Sequence, residues 1–245
     1  MRPRTAGIII IGNEILSGKV RDANSHFLAH ELRSLGVDLR RVVVIPDDVD
    51  LIADEVRWFS GTFDYVFTSG GVGPTHDDVT MEGVAAAFGV GTMESPELAR
   101  VVRNWCEPGR EERAMKMALI PEGAEVIMGK GVKFPPVRIE NVFIFPGIPE
   151  YLASKFRSIM ERFRGAPYRL VRLFVNEEEC YISEQMDRVV EEFPGVMIGS
   201  YPQIDGDGHK VIITLESADS AELSRASERL QSLLPEGSVV RAEDK

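Results

Sequence analysis

Gly70-Gly71-Val72-Gly73-Pro74-Thr75-His76-Asp77-Asp78-Val79-Thr80 follows an apolar segment, Phe63-Asp64-Tyr65-Val66-Phe67-Thr68, and runs into a helical pattern from Met81 to Phe88. Glycines between a strand and a helix let the backbone turn tightly and bring its N–H groups against a bulky anion. The helix that follows points its positive end at the same place. Two adjacent carboxylates at that mouth would meet phosphate, which is unfavourable unless a cation lies between them or the acids act on the phosphate. The loop therefore predicts a phosphate or nucleotide site that works with a divalent cation. Glycine-rich turns are common in α/β chains, and Asp77 or Asp78 could instead cap a helix starting at Val79. The paired acids and the flanking threonines weigh toward a site. No Gly-Lys-Ser/Thr follows, so the loop is not a Walker loop. Its spacing, on a strand that is not the chain's first, also rules out a dinucleotide fingerprint.

Outward from the loop, the first half alternates strand and helix. Residues 7–11 form a continuous apolar run between glycines, as a central parallel strand requires. A helix follows, with Asp22 or Asn24 as its cap, an apolar face of Phe27, Leu28, Leu32 and Leu35, and Gly36 as its stop. A strand over 37–45, a helix over 49–59 capped by Asp48 or Asp50, the strand over 63–68 and the helix over 79–88 complete a βαβαβα order. That order predicts a parallel sheet with helices on both faces. Helices are expected over 96–105 and 111–117, around a break at Pro108-Gly109. Strands are expected over 125–128, 137–139 and 142–145, and Phe134-Pro135-Pro136 reads as an extended connector. A helix over 150–163 ends at Gly165-Ala166-Pro167, which divides the chain into domains 1–165 and 166–245. The remainder reads β-α-β-β-α-β, the order of a small α+β sandwich.

Of 245 residues, 44% are hydrophobic and 27% charged, a globular composition able to bury a core. The apolar run at 8–11 is far too short to span a bilayer, so no membrane segment and no signal peptide are expected. Cys106 and Cys180 have no ligand spacing, and a reduced, cytoplasmic protein is expected. The net charge of −11 argues against nucleic acid and anionic membranes as partners. The second domain carries eight Lys/Arg against sixteen Asp/Glu and shows no basic Gly-x-x-Gly clamp. It is expected to pack, dimerise or border the site rather than bind RNA, and a homo-oligomer is expected.

The loop resembles the signature of the molybdopterin-binding-like superfamily, which takes in MogA and MoaB, the CinA proteins and the first domain of eukaryotic FAD synthase. Its Gly-Gly-x-Gly-Pro-Thr-x-Asp-Asp-x-Thr form is similar to the CinA and FAD-synthase branch. Gly12-Asn13-Glu14-Ile15-Leu16-Ser17-Gly18, Phe145-Pro146-Gly147-Ile148-Pro149-Glu150 and Ile198-Gly199-Ser200-Tyr201-Pro202 agree with it over nearly the whole chain. One departure is Asn13, which stands where the family usually has Asp. The resemblance implies a molybdopterin-binding-like α/β domain, with a KH-like or split βαβ domain after it. It also implies a metal-dependent pyrophosphatase acting on a nucleotide diphosphate linkage of the ADP-ribose or FAD type. A molybdopterin-binding or adenylylating role in molybdenum cofactor synthesis is the alternative. A non-catalytic nucleotide-binding protein is the third reading, which Asn13 favours.

In an open parallel sheet the ligand lies beyond the carboxyl ends of the strands, at the switch in strand order. The motifs after successive strands converge there. Asp77, Asp78 and Glu14 are the candidate catalytic acids. Gly70, Gly71, Val72, Gly73, Pro74 and Thr75 form the candidate cradle for a nucleotide or pterin phosphate, with Asn13 and Ser17 from the first turn. The turn at Pro146 and Gly147 offers rigid backbone groups to a nucleobase or pterin. Lys116, in a segment that is basic in the related proteins, could supply positive charge to a diphosphate. Asp77, Asp78 and Asp48 are the candidate ligands of a divalent metal of the Mg, Mn or Co type, although Asp47 and Asp48 also fit a helix cap. Thr80 is expected to bond the loop backbone.

Overall fold

The structure is a computed structural model that describes residues 3–107, 109–128, 132–204 and 208–244. Pro108 of the expected break and the outermost residues 1, 2 and 245 of the expected domains lie outside them. The chain divides into two compact units at Gly165/Ala166.

The first unit is built on β1 (Arg4–Ile11), α1 (Asn13–Leu16), α2 (Asn24–Ser34), β2 (Val37–Ile45), α3 (Val49–Thr62), β3 (Tyr65–Ser69) and α4 (Thr80–Ala87). After these come β4 (Thr92–Glu94), α5 (Pro96–Trp105), β5 (Leu119–Pro121), β6 (Glu125–Val126), β7 (Val137–Ile139), β8 (Val142–Phe145) and α6 (Pro149–Ile159). The six-stranded sheet runs β2-β1-β3-β8-β7-β6. β2, β1, β3 and β8 are mutually parallel, while β7 and β6 add an antiparallel edge. Two cores cover its faces, as a parallel sheet needs. Ile9 and Ile11 pack with Ile52, Val56 and Phe59 of α3. Ile8 and Ile10 pack on the other face with Leu28 and Leu32 of α2, Phe67, and Phe156 of α6. Phe67 stands 5.1 Å edge-on to Phe163 and 5.6 Å stacked on Phe143, so aromatic contacts tie β3 and β8 to the 3-10 turn Met160–Phe163 that follows α6.

Two local expectations change, and one left open is decided. The helix expected over 111–117 is a 3-10 turn, Ala114–Ala118; Ala114 and Ala118 are buried and lie one tight turn apart, so little apolar surface is gained by extending it. The strand expected over 125–128 shortens to Glu125–Val126, and β4 and β5 form a two-stranded ladder the local pattern does not announce. At α2 it is the Asp22 carboxylate that takes the first-turn N–H groups, of Asn24 at 2.9 Å and Ser25 at 3.1 Å. Asn24 is thereby released for another task.

The second unit consists of β9 (Arg169–Val175), α7 (Glu179–Glu192), β10 (Met197–Pro202), β11 (Val211–Ser217), α8 (Ser220–Leu233) and β12 (Val239–Asp244). Its antiparallel sheet, ordered β10-β11-β9-β12, is the split βαβ arrangement. Leu173, Ile213 and Leu215 meet Ile182 and Val189 of α7 and Leu223 and Leu230 of α8 in its core. Asp219 caps α8 through the N–H groups of Ala221 and Glu222. No helix among the described residues is long and apolar enough to cross a membrane.

Lys155 sits half-buried on α6, and desolvation pushes its ammonium down to about 8. A lysine whose folded pKa lies below its unfolded value destabilises the fold while both states are protonated, and the penalty fades as pH rises through that interval. Lys155→Met is therefore expected to melt higher than the parent at pH 7. The gap should close between about pH 8 and the ordinary lysine value near 10.5, as followed by thermal unfolding across that pH range.

Candidate functional site

The switch in strand order falls between β1 and β3, since the chain leaves β1 for β2 on one side and returns to β3 on the other. There the glycine loop is fitted tightly against the sheet. Gly70 has φ +113, and a Cβ built on it would lie 2.0 Å from the Ile11 carbonyl oxygen, so only glycine fits. Its N–H donates to the Phe145 carbonyl of β8 at 3.1 Å. Gly71, also at positive φ, accepts from the Thr80 N–H at 3.0 Å. The buried Thr80 hydroxyl donates to the Gly70 carbonyl at 2.8 Å. Thr80 thus holds the base of the loop, as expected.

The two loop aspartates divide their roles. Asp78 Oδ2 accepts from the Thr75 N–H at 2.8 Å and from the Thr75 hydroxyl at 2.5 Å, closing the loop on itself. Neither acid caps α4, which starts at Thr80 with no side-chain cap. Asp77 projects outward with its side chain 59% exposed. The Thr75 hydroxyl, followed by its own backbone N–H, holds it below the usual carboxylate range. His76 Nδ1 stands 4.0 Å from Asp77 Oδ1 and is almost wholly exposed. Lys116 reaches the loop from the 3-10 turn: its Nζ donates to the Thr75 carbonyl at 2.9 Å and lies 3.9 Å from Glu82. The N–H groups of Gly71, Val72 and Gly73 find no acceptor among the described residues.

The first turn forms the opposite wall. Asp47 Oδ2 accepts from the Asn13 N–H at 2.8 Å, and its Oδ1 is the nearest carboxylate to Gly71. It therefore latches the turn after β1 to the end of β2, beside the glycine loop. Asp48, expected as a metal ligand, is the N-cap of α3 through the Leu51 N–H at 3.0 Å. Glu14 folds its carboxylate back over Gly12, and the Ser17 hydroxyl donates to the Glu14 carbonyl at 3.3 Å. On the β8 side, Gly147 packs against the Cα of Gly70. Buried Asn24 donates through Nδ2 to the Gly147 carbonyl at 2.7 Å and to Ser69 Oγ at 2.9 Å, and Ser69 in turn donates to the Pro146 carbonyl. Asn24 and Asp47 are the two site residues whose roles the sequence did not disclose. Both sit at strand or helix ends, where a cap is the default reading.

Among the described residues, no group of three or more His, Cys, Asp and Glu side chains could hold a metal ion. Asp48 and Asp78 are spent on structure, so Asp77, Asp78 and Asp48 do not make a standing three-carboxylate cage. What the loop does offer is the exposed, anionic carboxylate of Asp77 and three backbone N–H groups with no acceptor among the described residues.

Comparison with known proteins fits this geometry. Residues 7–165 match the family described as "Probable molybdopterin binding domain", and residues 167–243 match "FAD synthase, middle domain". A protein of Archaeoglobus fulgidus is 36% identical over 93% of this chain and 96% of its own length. A protein named "Probable FAD synthase" from Caenorhabditis elegans is 35% identical over 94% of this chain, which spans 50% of that relative. The crystal structure of CinA from Thermoplasma acidophilum, titled as of unknown function, superposes with a TM-score of 0.61 at 28% identity; it covers 66% of this chain and 98% of its own. The chain belongs to the molybdopterin-binding-domain family, in its CinA and FAD-synthase branch, with a FAD-synthase middle domain following.

Two glycines separate the requirements of the site from those of the fold. Gly70→Ala forces a Cβ into the Ile11 carbonyl and should displace the loop, lowering the melting temperature in thermal-shift measurements. Gly61→Ala on exposed α3, where nothing lies within 4 Å of the new Cβ, should be neutral or stabilising by about 0.4–1 kcal/mol.

Proposed function

We propose that the first unit binds a nucleotide diphosphate of the ADP-ribose or FAD type and hydrolyses its pyrophosphate link. The observation that carries this is a closed glycine loop presenting the unpaired N–H groups of Gly71, Val72 and Gly73 beside the ionised Asp77. Backbone donors of this kind bind non-bridging phosphate oxygens and stabilise the charge that builds on them in displacement. Lys116 adds a positive charge within reach of the same oxygens while steadying the loop through Thr75. A carboxylate held below its usual range stays ionised at neutral pH, which suits a cation ligand better than a proton carrier. Magnesium is commonly held by one or two carboxylates together with substrate phosphates. A cation arriving on the diphosphate would need only Asp77 from the protein, and it would polarise the phosphoryl group and acidify water. Glu14, exposed on the opposite wall, is the remaining carboxylate that could orient a water. Relatives named for FAD synthesis and as CinA-like support a nucleotide substrate.

A second reading is a molybdopterin-binding or adenylylating role in the same cradle, favoured by the description of the family matched over residues 7–165. The carbonyls of the Pro146-Gly147 turn, ordered by Asn24 and Ser69, would then border a pterin ring.

The expected outcome is release of AMP, with ribose 5-phosphate from ADP-ribose or FMN from FAD, in the presence of magnesium or manganese, followed by chromatography. Asp77→Asn, which keeps shape and removes charge, should lower turnover by roughly 10²-fold or more with the melting temperature nearly unchanged. Asp78→Ala should lower both turnover and stability, because it opens the loop. Binding of dinucleotides without product would leave a nucleotide-binding protein, and tight binding of molybdopterin with no dinucleotide binding would favour the second reading.

A further inference from the structure

The divalent ion that the family resemblance implies meets a chain most of whose acids at the crevice are engaged elsewhere. Asp48 Oδ1 accepts from the Leu51 N–H at 3.0 Å, and Asp47 Oδ2 from the Asn13 N–H at 2.8 Å. Asp78 Oδ2 accepts from both the N–H and the hydroxyl of Thr75. Among the described residues, no three or more His, Cys, Asp and Glu side chains gather as a metal group. Magnesium demands a near-octahedral shell of oxygens, and it is ordinarily held by one or two carboxylates together with phosphates and water. The acids around the loop supply the first part of that set and not the rest. The charges of the loop point the same way. The Asp77 carboxyl is held below its usual range first by the Thr75 hydroxyl and its own backbone N–H, and after these by His76 and Lys116. Lys116 is fixed there, since its Nζ donates to the Thr75 carbonyl at 2.9 Å. A bare divalent ion approaching Asp77 therefore meets the repulsion of an ammonium already in place.

We propose that the glycine loop has no standing site for a divalent cation and receives one only as the complex of a diphosphate, so that each raises the affinity of the other. The inference rests on the reading of the loop as a phosphate cradle. The N–H groups of Gly71, Val72 and Gly73, which find no acceptor among the described residues, take phosphate oxygens. Two linked phosphates chelate the cation with their remaining oxygens, and water and Asp77 complete its shell. A dinucleotide diphosphate carries two negative charges, so its complex with one divalent ion is neutral and Lys116 no longer opposes its entry. A single phosphate does not chelate in this way. The cation is then what separates diphosphates from monophosphates at the loop. The coupling is reciprocal: the diphosphate brings the cation as much as the cation strengthens the diphosphate.

Methylenediphosphonate, which keeps two linked phosphorus groups and cannot be hydrolysed at its bridge, tests this on the whole chain without any turnover. Manganese serves as the cation because it takes the same oxygen ligands as magnesium, and its free form is read by electron paramagnetic resonance. Manganese alone should keep its free signal when the protein is added. Calorimetric titration with the premixed manganese complex should show binding roughly 10–100-fold tighter than titration with the diphosphonate alone. Inorganic phosphate should gain nothing from manganese. Asp77→Asn should abolish the gain while bare diphosphonate still binds. Asp48→Asn, which keeps the helix cap, should leave the gain unchanged. Loss of the free manganese signal to the protein at micromolar concentration would show a standing site and overturn the inference. Equal affinity for the diphosphonate with and without manganese, or an equal gain for inorganic phosphate, would overturn it as well. None of these three results touches the reading of the loop as a phosphate cradle. If neither the diphosphonate nor its complex binds, the cradle itself fails, and the proposed function falls together with the inference. The parent protein decides these outcomes even if a variant fails to fold.

Discussion

The Ile11 carbonyl and the Cα of Gly70 approach so closely that no side chain can stand between them. Nearly everything at the site follows from that contact. It sets the end of β1 against the end of β3 at the switch in strand order, where an open sheet forms its crevice. Gly70 then bonds β8 through Phe145, and Gly147 rests on Gly70 from the other side. Three strand ends are joined over one residue, and the loop that leaves it can only rise over the crevice. The apolar cores on both faces make this contact affordable: β1 is buried from Ala6 to Ile11 and cannot shift to relieve it.

The second constraint is how the acids are used. Five carboxylates cluster in the sequence around the strand ends, which in a chain of net charge −11 would repel a phosphate. The fold engages three of them with backbone partners. Asp78 holds the loop through Thr75, Asp47 latches the first turn through Asn13, and Asp48 caps α3. A carboxylate accepting N–H bonds keeps its charge but is fixed in place by them. Asp77 and Glu14 are left exposed. Lys116 brings a positive charge to the same loop through the Thr75 carbonyl.

Elements with a strong internal period were legible in the sequence. The isoleucine run of β1, the apolar face of α2 at Leu28 and Leu32, and the β-α-β-β-α-β order of the second unit all appear where their patterns place them. The glycine loop was legible because a steric demand for glycine is written directly in residue identity. What was hidden depended on partners far away in the chain. Asn24 contacts Gly147, more than a hundred residues on, and reads locally as one more helix cap. Asp47 and Asp48 are neighbours of one type, and nothing in Pro46-Asp47-Asp48 says which of them turns to Asn13 and which to Leu51. The short β4 and β5 are held by each other across α5 and carry too few residues for a pattern.

Asn13 is where the chain departs from its family, and the geometry shows what that departure touches. The group in use at this position is the backbone N–H, given to Asp47, while the side chain is exposed. Any residue but proline supplies that N–H, so exchanging an acid for an amide leaves the latch and the crevice intact. What changes is the count of anionic oxygens available to a cation. With that position neutral, Asp48 capping a helix and Asp78 closing the loop, a divalent ion finds one outward loop carboxylate in place of several. A single carboxylate in high dielectric binds such an ion weakly, and the missing ligands must come from the anion that it accompanies. Under the proposed function, a neutral residue at position 13 would leave a cation to be held mainly by the diphosphate it accompanies, while the backbone latch to Asp47 is unchanged.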